Sequence, residues 1–265
     1  MQPQTLSKAD SRILAQVFDP ESGPAKAEVL VDPYLPADRH ITDPTLLINL
    51  QKREKQAIAL VEKFETFQPP SGDASPHSKT EVFNEAIAIL DELVTTHASY
   101  ASARNNRAQL RRWRYGDRHL LCQSHDSSHA SDNESVAAAA QATFSDLHSA
   151  IALASPAHPH DAVSPAQGRL LAQAHTQLAA ILYAASKDMA GASDEEGKIV
   201  VAELEAWTSE QLEEEASRLF YLGGLYGNEV AKALAVHTNP HAKLCGRIVG
   251  EAMRKEVEGY TAAAT

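Results

Sequence analysis

Cysteine, aromatic residues and basic residues are all scarce in this chain, and each scarcity excludes a class of protein. Only Cys122 and Cys245 occur among 265 residues, which excludes a disulfide framework and favours a reducing compartment. Aromatic residues make up 6%, and alternating β-branched segments are nearly absent, so all-β folds and most parallel-sheet enzymes are disfavoured. Lys and Arg number 24 against 35 Asp and Glu, and the net charge of −11 argues against a nucleic-acid partner.

Long apolar runs are missing as well. No run in the sequence approaches the roughly 20 residues that a membrane span requires. Residues 1–10 also lack the apolar segment of a secretory signal. We therefore expect a protein with no membrane association, located in the cytoplasm and also in the nucleus.

Alanine is abundant, with 45 of the 265 residues, and it favours helices because it loses no side-chain entropy there. We therefore predict an all-α fold. Residues 1–43 form an N-terminal arm with a short docking helix, and residues 44–265 form a helical domain. Four loops interrupt that domain, at 68–78, 117–134, 155–165 and 191–208. The predicted helices cover about 44–64 or 67, 79–95, 99–115, 135–154, 165–189, 209–226, 229–236 and 240–258.

Small residues recur where antiparallel helices would touch, which is typical of the tetratricopeptide repeat, a helix-turn-helix unit of about 34 residues. Such stacks need small side chains at each helix crossing and larger apolar ones beside it. The residues assigned to these structural positions are Ala86, Ala108, Ala180, Ala216 and Phe220. We predict a solenoid of about three helix pairs, closed by a C-terminal capping helix.

Three segments resemble one family within this repeat class. Residues 100–112 are similar to the helix "A-Y-N-N-R-A-Q-x-R-R" of the tetratricopeptide repeat protein thirty-six family. Asn239 and Pro240 begin a segment similar to its "N-P-Y-A-x-L-C", and residues 13–20 resemble its "V-L-x-x-I-F-N-P" start. This chain would be a divergent member with long loop insertions. The resemblance implies a non-enzymatic, all-helical, protein-binding protein connected with a seventy-kilodalton heat-shock chaperone and with tyrosine catabolism.

Five arginines on the third predicted helix recur at steps of three or four residues and so form one stripe. They are Arg104, Arg107, Arg111, Arg114 and Arg118. One interpretation is a cationic face for an acidic peptide. The other is pairing inside the stack, with acids such as Glu85, Asp91, Glu92 or Asp146.

A second face of the same helix carries Asn105, Asn106, Gln109 and Arg112. In tetratricopeptide stacks this side lines the concave groove, where amides can bind the backbone of an extended peptide. These four residues are the predicted partner-binding groove; a solvated helix face is the alternative. Of a two-carboxylate clamp for an acidic chaperone tail, only Asn106 is present. Glu54, Ile58, Gln177 and Ile181 stand where clamp residues would be needed, so we predict that such a tail is not bound.

A compact set of metal-ligand residues offers a different chemistry. His119, Cys122, His125 and His129 could supply four ligands to one zinc ion. The spacing matches no standard zinc signature, and a solvated polar loop is the alternative interpretation. The sequence contains no Gly-rich phosphate loop, no G-x-S-x-G and no H-E-x-x-H, so we expect no cofactor.

We interpret the chain as a non-enzymatic, chaperone-associated adaptor whose partners are proteins. The main alternative is a small metal- or His-dependent enzyme that uses the loop from His119 to His129. A structural subunit of a larger complex is the third reading. Nine acids between Asp194 and Glu215 form either a solvated face or a surface for a basic partner.

Overall fold

The all-α prediction is confirmed by a computed structural model, which is mostly helical. The structure describes residues 29–67, 78–123, 130–158, 161–191, 198–239, 251, 253 and 254. In these ranges there are seven α-helices, two two-residue strands and one short 3-10 helix. The helices are α1 (Pro44–Thr66), α2 (Lys79–Thr96), α3 (Ala101–Tyr115), α4 (Ala130–Ala154), α5 (Pro165–Gly191), α6 (Ser209–Leu225) and α7 (Glu229–Thr238). The strands are β1 (Cys122–Gln123) and β2 (Lys198–Ile199), and the 3-10 helix is Ala202–Leu204.

Local sequence signals explain where several helices begin and end. Asp43 caps α1 by accepting a hydrogen bond from the Thr45 backbone N–H at 2.8 Å, and Pro44 occupies the first turn. Ser78 and Glu81 form a capping box that starts α2. Gly116 ends α3 with a φ of 83°, a conformation that favours glycine.

Consecutive helices pack against each other along the chain, and α3 also contacts α5. Two main hydrophobic cores result. One lies among α1, α2 and α3 and includes Leu50, Leu90 and Leu110. The other lies among α3 to α7 and includes Leu147 and Leu178. Helix α3 therefore belongs to both cores.

The predicted structural positions differ in how deeply they are buried. Ala86, Ala108 and Ala216 are completely inaccessible to solvent, and Phe220 is 1% exposed. Ala180 is only partly buried, and its neighbour Ala179 is inaccessible. Ala180 packs against the second core, and α5 is buried around most of its circumference because it packs against α3, α4 and α6. Asn239 is the partly buried C-cap of α7, and Pro240 lies outside the described residues.

Three of the predicted loops contain more structure than expected. Helix α4 begins at Ala130 rather than near Ser135, because the alanines at 137–140 favour helix propagation. Strand β1, from the loop at 117–134, pairs antiparallel with β2, from the loop at 191–208. Val163, in the loop at 155–165, forms a parallel bridge with Val31 at the end of the arm.

Other predictions fall on residues that the structure does not describe. These are the docking helix of the arm, nearly all of the loop at 68–78 and most of the C-terminal capping helix. No helix in the described ranges combines the length and apolarity that a membrane crossing demands.

Candidate functional site

Three arginines of the predicted stripe are engaged between the helices. Arg107 donates two hydrogen bonds to the Asp146 carboxylate on α4, both at 2.7 Å, and a third to Asp91 on α2 at 2.8 Å. Arg111 reaches Asp146 at 2.5 Å, and Arg104 approaches it at 3.5 Å. Because the Asp146 side chain is only 4% exposed, these arginines link helices rather than forming a free cationic face.

Asn105, a predicted groove residue, points into the α3–α5 interface instead. It is 1% exposed. Its Oδ1 accepts a hydrogen bond from Gln177 Nε2 at 2.9 Å, and its Nδ2 donates to Gln173 Oε1 at 3.5 Å. The prediction that Asn105 contacts a partner is therefore corrected, because α5 covers this part of α3.

Arg112, another predicted groove residue, is also held within the protein. Its Nε and Nη2 donate to the two Asp117 carboxylate oxygens at 2.7 and 2.8 Å. Its Nη1 donates to Gln177 Oε1 at 3.1 Å. Arg112 thus positions the end of α3 against α5, and its guanidinium is not free for a ligand carboxylate.

Asn106 contacts a buried carboxylate on α1. Its Nδ2 donates to Glu54 Oε1 at 2.9 Å, and Tyr100 Oη donates to Glu54 Oε2 at 2.5 Å. Glu54 is 5% exposed, and burial raises its pKa above the ordinary range. Burial also raises the pKa of Tyr100, with the Glu54 charge adding to the effect.

These contacts form one polar seam across the helices α1, α3 and α5. Its members are Glu54, Tyr100, Asn105, Asn106, Arg112 and Gln177. Each is satisfied by another side chain of the protein, so the seam fixes the relative position of the three helices.

An open cleft lies beside this seam, between α1 and α3, with a volume of about 250 Å³. Its walls are mostly apolar and include Ile58, Val61, Leu90 and Leu110. Asn106 and Gln109 border it, and Gln109 is exposed to solvent. Two of the four predicted groove residues therefore line a real depression in the surface.

Trp113 forms one wall of the cleft and is held in place on several sides. Its Nε1 donates to Glu65 Oε1 at 2.8 Å, and its ring packs edge-on against Phe64 at 5.8 Å. Lys79 Nζ lies 4.7 Å from the ring centroid, within the range of a cation–π contact. The cleft can take an apolar side chain between Ile58 and this fixed aromatic wall, and the Gln109 amide at its border can both donate and accept a hydrogen bond.

The His-rich loop is anchored by Asp188 of α5. The His119 backbone N–H donates to Asp188 Oδ2 at 2.6 Å, and Arg118 also pairs with Asp188. Cys122 lies in β1 and is buried, which raises the pKa of its thiol. Among the described residues, no group of three or more His, Cys, Asp and Glu side chains could hold a metal ion. His125 and His129 lie outside those residues, so the four-ligand site stays a prediction.

Sequence reasoning did not identify three residues of the polar seam and the α1–α3 cleft as site residues, namely Tyr100, Trp113 and Val61. Glu54 was noted only as an obstacle to an acidic tail. A signal for its burial was present, because Glu54 falls on the same face of α1 as Leu50 and Ala57 at helical spacing. A carboxylate on a buried face requires a partner, and the partners here come from α3.

Comparison with known proteins gives one informative match. No family model and no solved structure matches the chain. The chain is 39% identical over 258 residues to the L-tyrosine degradation gene cluster protein hmgX of Aspergillus fumigatus. The alignment covers 96% of this chain and 94% of the relative. The chain belongs to the hmgX family.

Membership of this family extends over almost the whole chain. Because 96% of the residues are aligned, most of the four predicted loops fall within the aligned part.

Proposed function

We propose that this protein is a non-enzymatic adaptor that binds protein partners through the α1–α3 cleft and acts in tyrosine degradation. The observation that carries the proposal is the cleft itself, where an apolar depression beside Trp113 is bordered by the exposed amide of Gln109. A pocket with apolar walls and a few polar groups is the usual form of a recognition site.

The pathway is supported by the family. The Aspergillus relative is named as a protein of an L-tyrosine degradation gene cluster. The resemblance to the tetratricopeptide repeat protein thirty-six family points to the same catabolism and to a seventy-kilodalton heat-shock chaperone. The partners are therefore an enzyme of tyrosine breakdown and that chaperone, in the cytoplasm and also the nucleus.

The helix pairing supports a repeat architecture for this adaptor. The pairs α1–α2, α3–α4 and α5–α6 would be the three tetratricopeptide-like units, with the C-terminal segment as the cap. The contact between α3 and α5 fits this arrangement, because the first helices of neighbouring repeats pack side by side and line one surface.

The contacts of the seam suggest how the partner is held. Glu54 is an acidic residue at the place where a carboxylate clamp would need a cation, and Asn106 already donates to it. The partner is therefore an extended segment with an apolar side chain in the cleft, and not an acidic C-terminal tail.

Ile58→Asp tests the proposal. This side chain is 41% exposed and lines the cleft, so a carboxylate there should repel an apolar ligand without unfolding α1. Ile48→Asp is the matched control, since Ile48 lies on the same helix, is 63% exposed and is not part of the cleft. Crosslinking with mass spectrometry, in cells grown on tyrosine, should recover a tyrosine-degrading enzyme or the chaperone with wild type and with Ile48→Asp.

Ile58→Asp should lose these crosslinks and should fail to restore growth on tyrosine in cells lacking the gene. Equal crosslinking by both variants would contradict the assignment of the cleft. Turnover of a tyrosine-derived compound by the purified chain, or a stoichiometric metal retained through purification, would instead favour the enzyme alternative.

A further inference from the structure

A second and larger cavity, of about 400 Å³, lies on the other half of the molecule. It is formed by α4, α5, the 3-10 helix and the first turns of α6. Leu178, Leu182 and Leu204 make its apolar floor, and Trp207 is one of its walls. A neighbouring cavity of about 320 Å³ shares Trp207 and also contains Glu214. The indole of Trp207 is therefore accessible from two sides.

The polar groups of this cavity are predominantly anionic. Glu203 stands at its edge, accepts hydrogen bonds from Gln141 Nε2 at 3.0 and 3.3 Å, and has no basic partner among the described residues. Those hydrogen bonds lower the pKa of Glu203, which is ionised at neutral pH. Glu215 is neutralised by a two-point contact with Arg218, at 2.6 and 2.7 Å. The Glu203 carboxylate therefore remains available to bind a cation.

The two imidazoles nearby do not cancel this charge. The His148 ring is open to the cavity on one side and packs 4.3 Å from the Phe144 ring on another, and this burial lowers its pKa. His175 lies one turn before Leu178 on α5, and burial lowers its pKa to about 4. Within the described ranges the buried Nδ1 of His175 lacks a hydrogen-bond partner. Both rings are neutral near pH 7, and His148, which lines the cavity, can form hydrogen bonds with a ligand or with water.

We propose that this cavity binds a small organic cation of the arylalkylamine class, with its ammonium group at Glu203 and its ring beside Trp207. Aromatic faces and carboxylates both attract ammonium groups, and the leucine floor accepts the apolar body. The volume of about 400 Å³ falls within the roughly 300–1,000 Å³ of small-molecule pockets.

The chain offers a selective reporter for this site, because it contains only two tryptophans. Trp113 lies in the α1–α3 cleft, so Trp113→Phe leaves Trp207 as the single indole. Phenethylamine is titrated into full-length Trp113→Phe protein, and the Trp207 indole N–H signal and fluorescence are followed. 3-Phenylpropionate and 2-phenylethanol have the same ring but carry a negative or a neutral head group. The amine should bind about threefold more tightly than 2-phenylethanol, the size expected for an exposed charge, and more tightly still than 3-phenylpropionate.

Glu203→Gln removes the anion at an exposed position, and Glu205→Gln, two residues away and outside the cavity, is its matched control. Glu203→Gln should weaken amine binding about threefold, the size expected for an exposed charge. Glu205→Gln should leave it unchanged.

Three results would overturn the proposal. They are equal binding of amine and alcohol, no perturbation of Trp207 at millimolar amine, and a lysine-containing peptide binding more tightly than phenethylamine. The test is independent of the α1–α3 cleft, since Ile58→Asp leaves this cavity intact.

Discussion

The two halves of the molecule hold their helices together by different means. In the N-terminal half, α3 is joined to α1, α2 and α4 by charged and amide side chains, with Asp146 and Glu54 at the centres. In the C-terminal half, α5 and α6 approach closely over small residues. A Cβ placed on Gly223 would lie 3.3 Å from the Ala172 backbone oxygen.

This difference determines where open space is left. Between α1 and α3, the large Trp113 side chain forms one wall of an open cleft. Alanine and glycine bring α5, α6 and α7 into near contact of their backbones, and the larger cavity of this half lies beside Trp207 and the 3-10 helix. Polar contacts also fix the relative orientation of the helices that they join, because each donor must meet its acceptor.

The largest effect is expected at the charged interface. Asp146→Ala removes one carboxylate that serves three arginines and leaves them largely buried without it. Removing one partner of a buried ion pair costs about 3–5 kcal/mol. The free energy of unfolding should fall by that amount in urea titrations.

Asp91→Ala is the comparison, because Asp91 meets the same Arg107 but its side chain is 50% exposed. It should cost at most about 1 kcal/mol. Equal costs for Asp91→Ala and Asp146→Ala would show that the burial of the network contributes nothing.

The next effect is expected where α5 and α6 touch. Gly223→Ala would bring a methyl group to 2.6 Å from Thr176 Oγ1 and 3.1 Å from the Ala231 Cβ. Thr176 must then move and weaken its 3.0 Å hydrogen bond from Asn228 Nδ2. Overpacking of this kind costs about 1–3 kcal/mol, which thermal denaturation can measure.

Gly191→Ala serves as the control for Gly223→Ala. A Cβ at Gly191 meets no atom within 4 Å in the described ranges. Its melting temperature should equal or slightly exceed that of the wild type. A stable Gly223→Ala protein would mean that the small residues do not limit the helix separation.

A smaller, pH-dependent effect is expected at Glu54. Because its pKa is raised in the folded state, the folded protein favours the protonated form. The stability that Glu54 contributes is therefore greatest at acidic pH and declines as the pH rises above the ordinary range of a glutamic acid. Glu54→Gln removes this decline, so its stability relative to wild type should improve from pH 4 to pH 7.

Unfolding free energies of both proteins across that pH range test this sign. Glu62→Gln, at an exposed position on the same helix, is the control for losing one charge from α1. If the stability of Glu54→Gln fell relative to that of wild type as the pH rises, the burial argument would be contradicted.

The smallest effect is expected from an acidic peptide. A peptide ending in Glu-Glu-Val-Asp should not bind measurably at moderate salt, because Glu54 stands where a cation would be needed and Arg112 is already paired with Asp117. Micromolar affinity, lost in Asn106→Ala, would show that the polar seam opens to admit a ligand.

Helix boundaries could be predicted from the sequence, because they depend on neighbouring residues. The start of α1 at Asp43 and Pro44, and the end of α3 at Gly116, follow from local capping chemistry. The contacts of the Asn105 and Asn106 side chains, in contrast, depend on residues distant in the sequence. Helical periodicity placed Asn105 and Asn106 on α3, but it could not show that Gln177 would cover one and Glu54 would bind the other.

The strand pair was unpredictable for the same reason. A two-residue strand has no periodicity to detect, and Cys122 pairs with Ile199 from a distant part of the chain. The second cavity combines residues of four separate elements, so no single segment indicated it.

The burial of Cys122 has a kinetic consequence. A reagent that alkylates thiols can reach this sulfur only after the β1–β2 pair or the surrounding core has opened, since the residue is 2% exposed. In a Cys245→Ser background, the labelling rate would therefore equal the opening equilibrium multiplied by the intrinsic reaction rate of the thiol. The chain thus contains a natural probe of local opening in the connection between its two halves, and it needs no attached label.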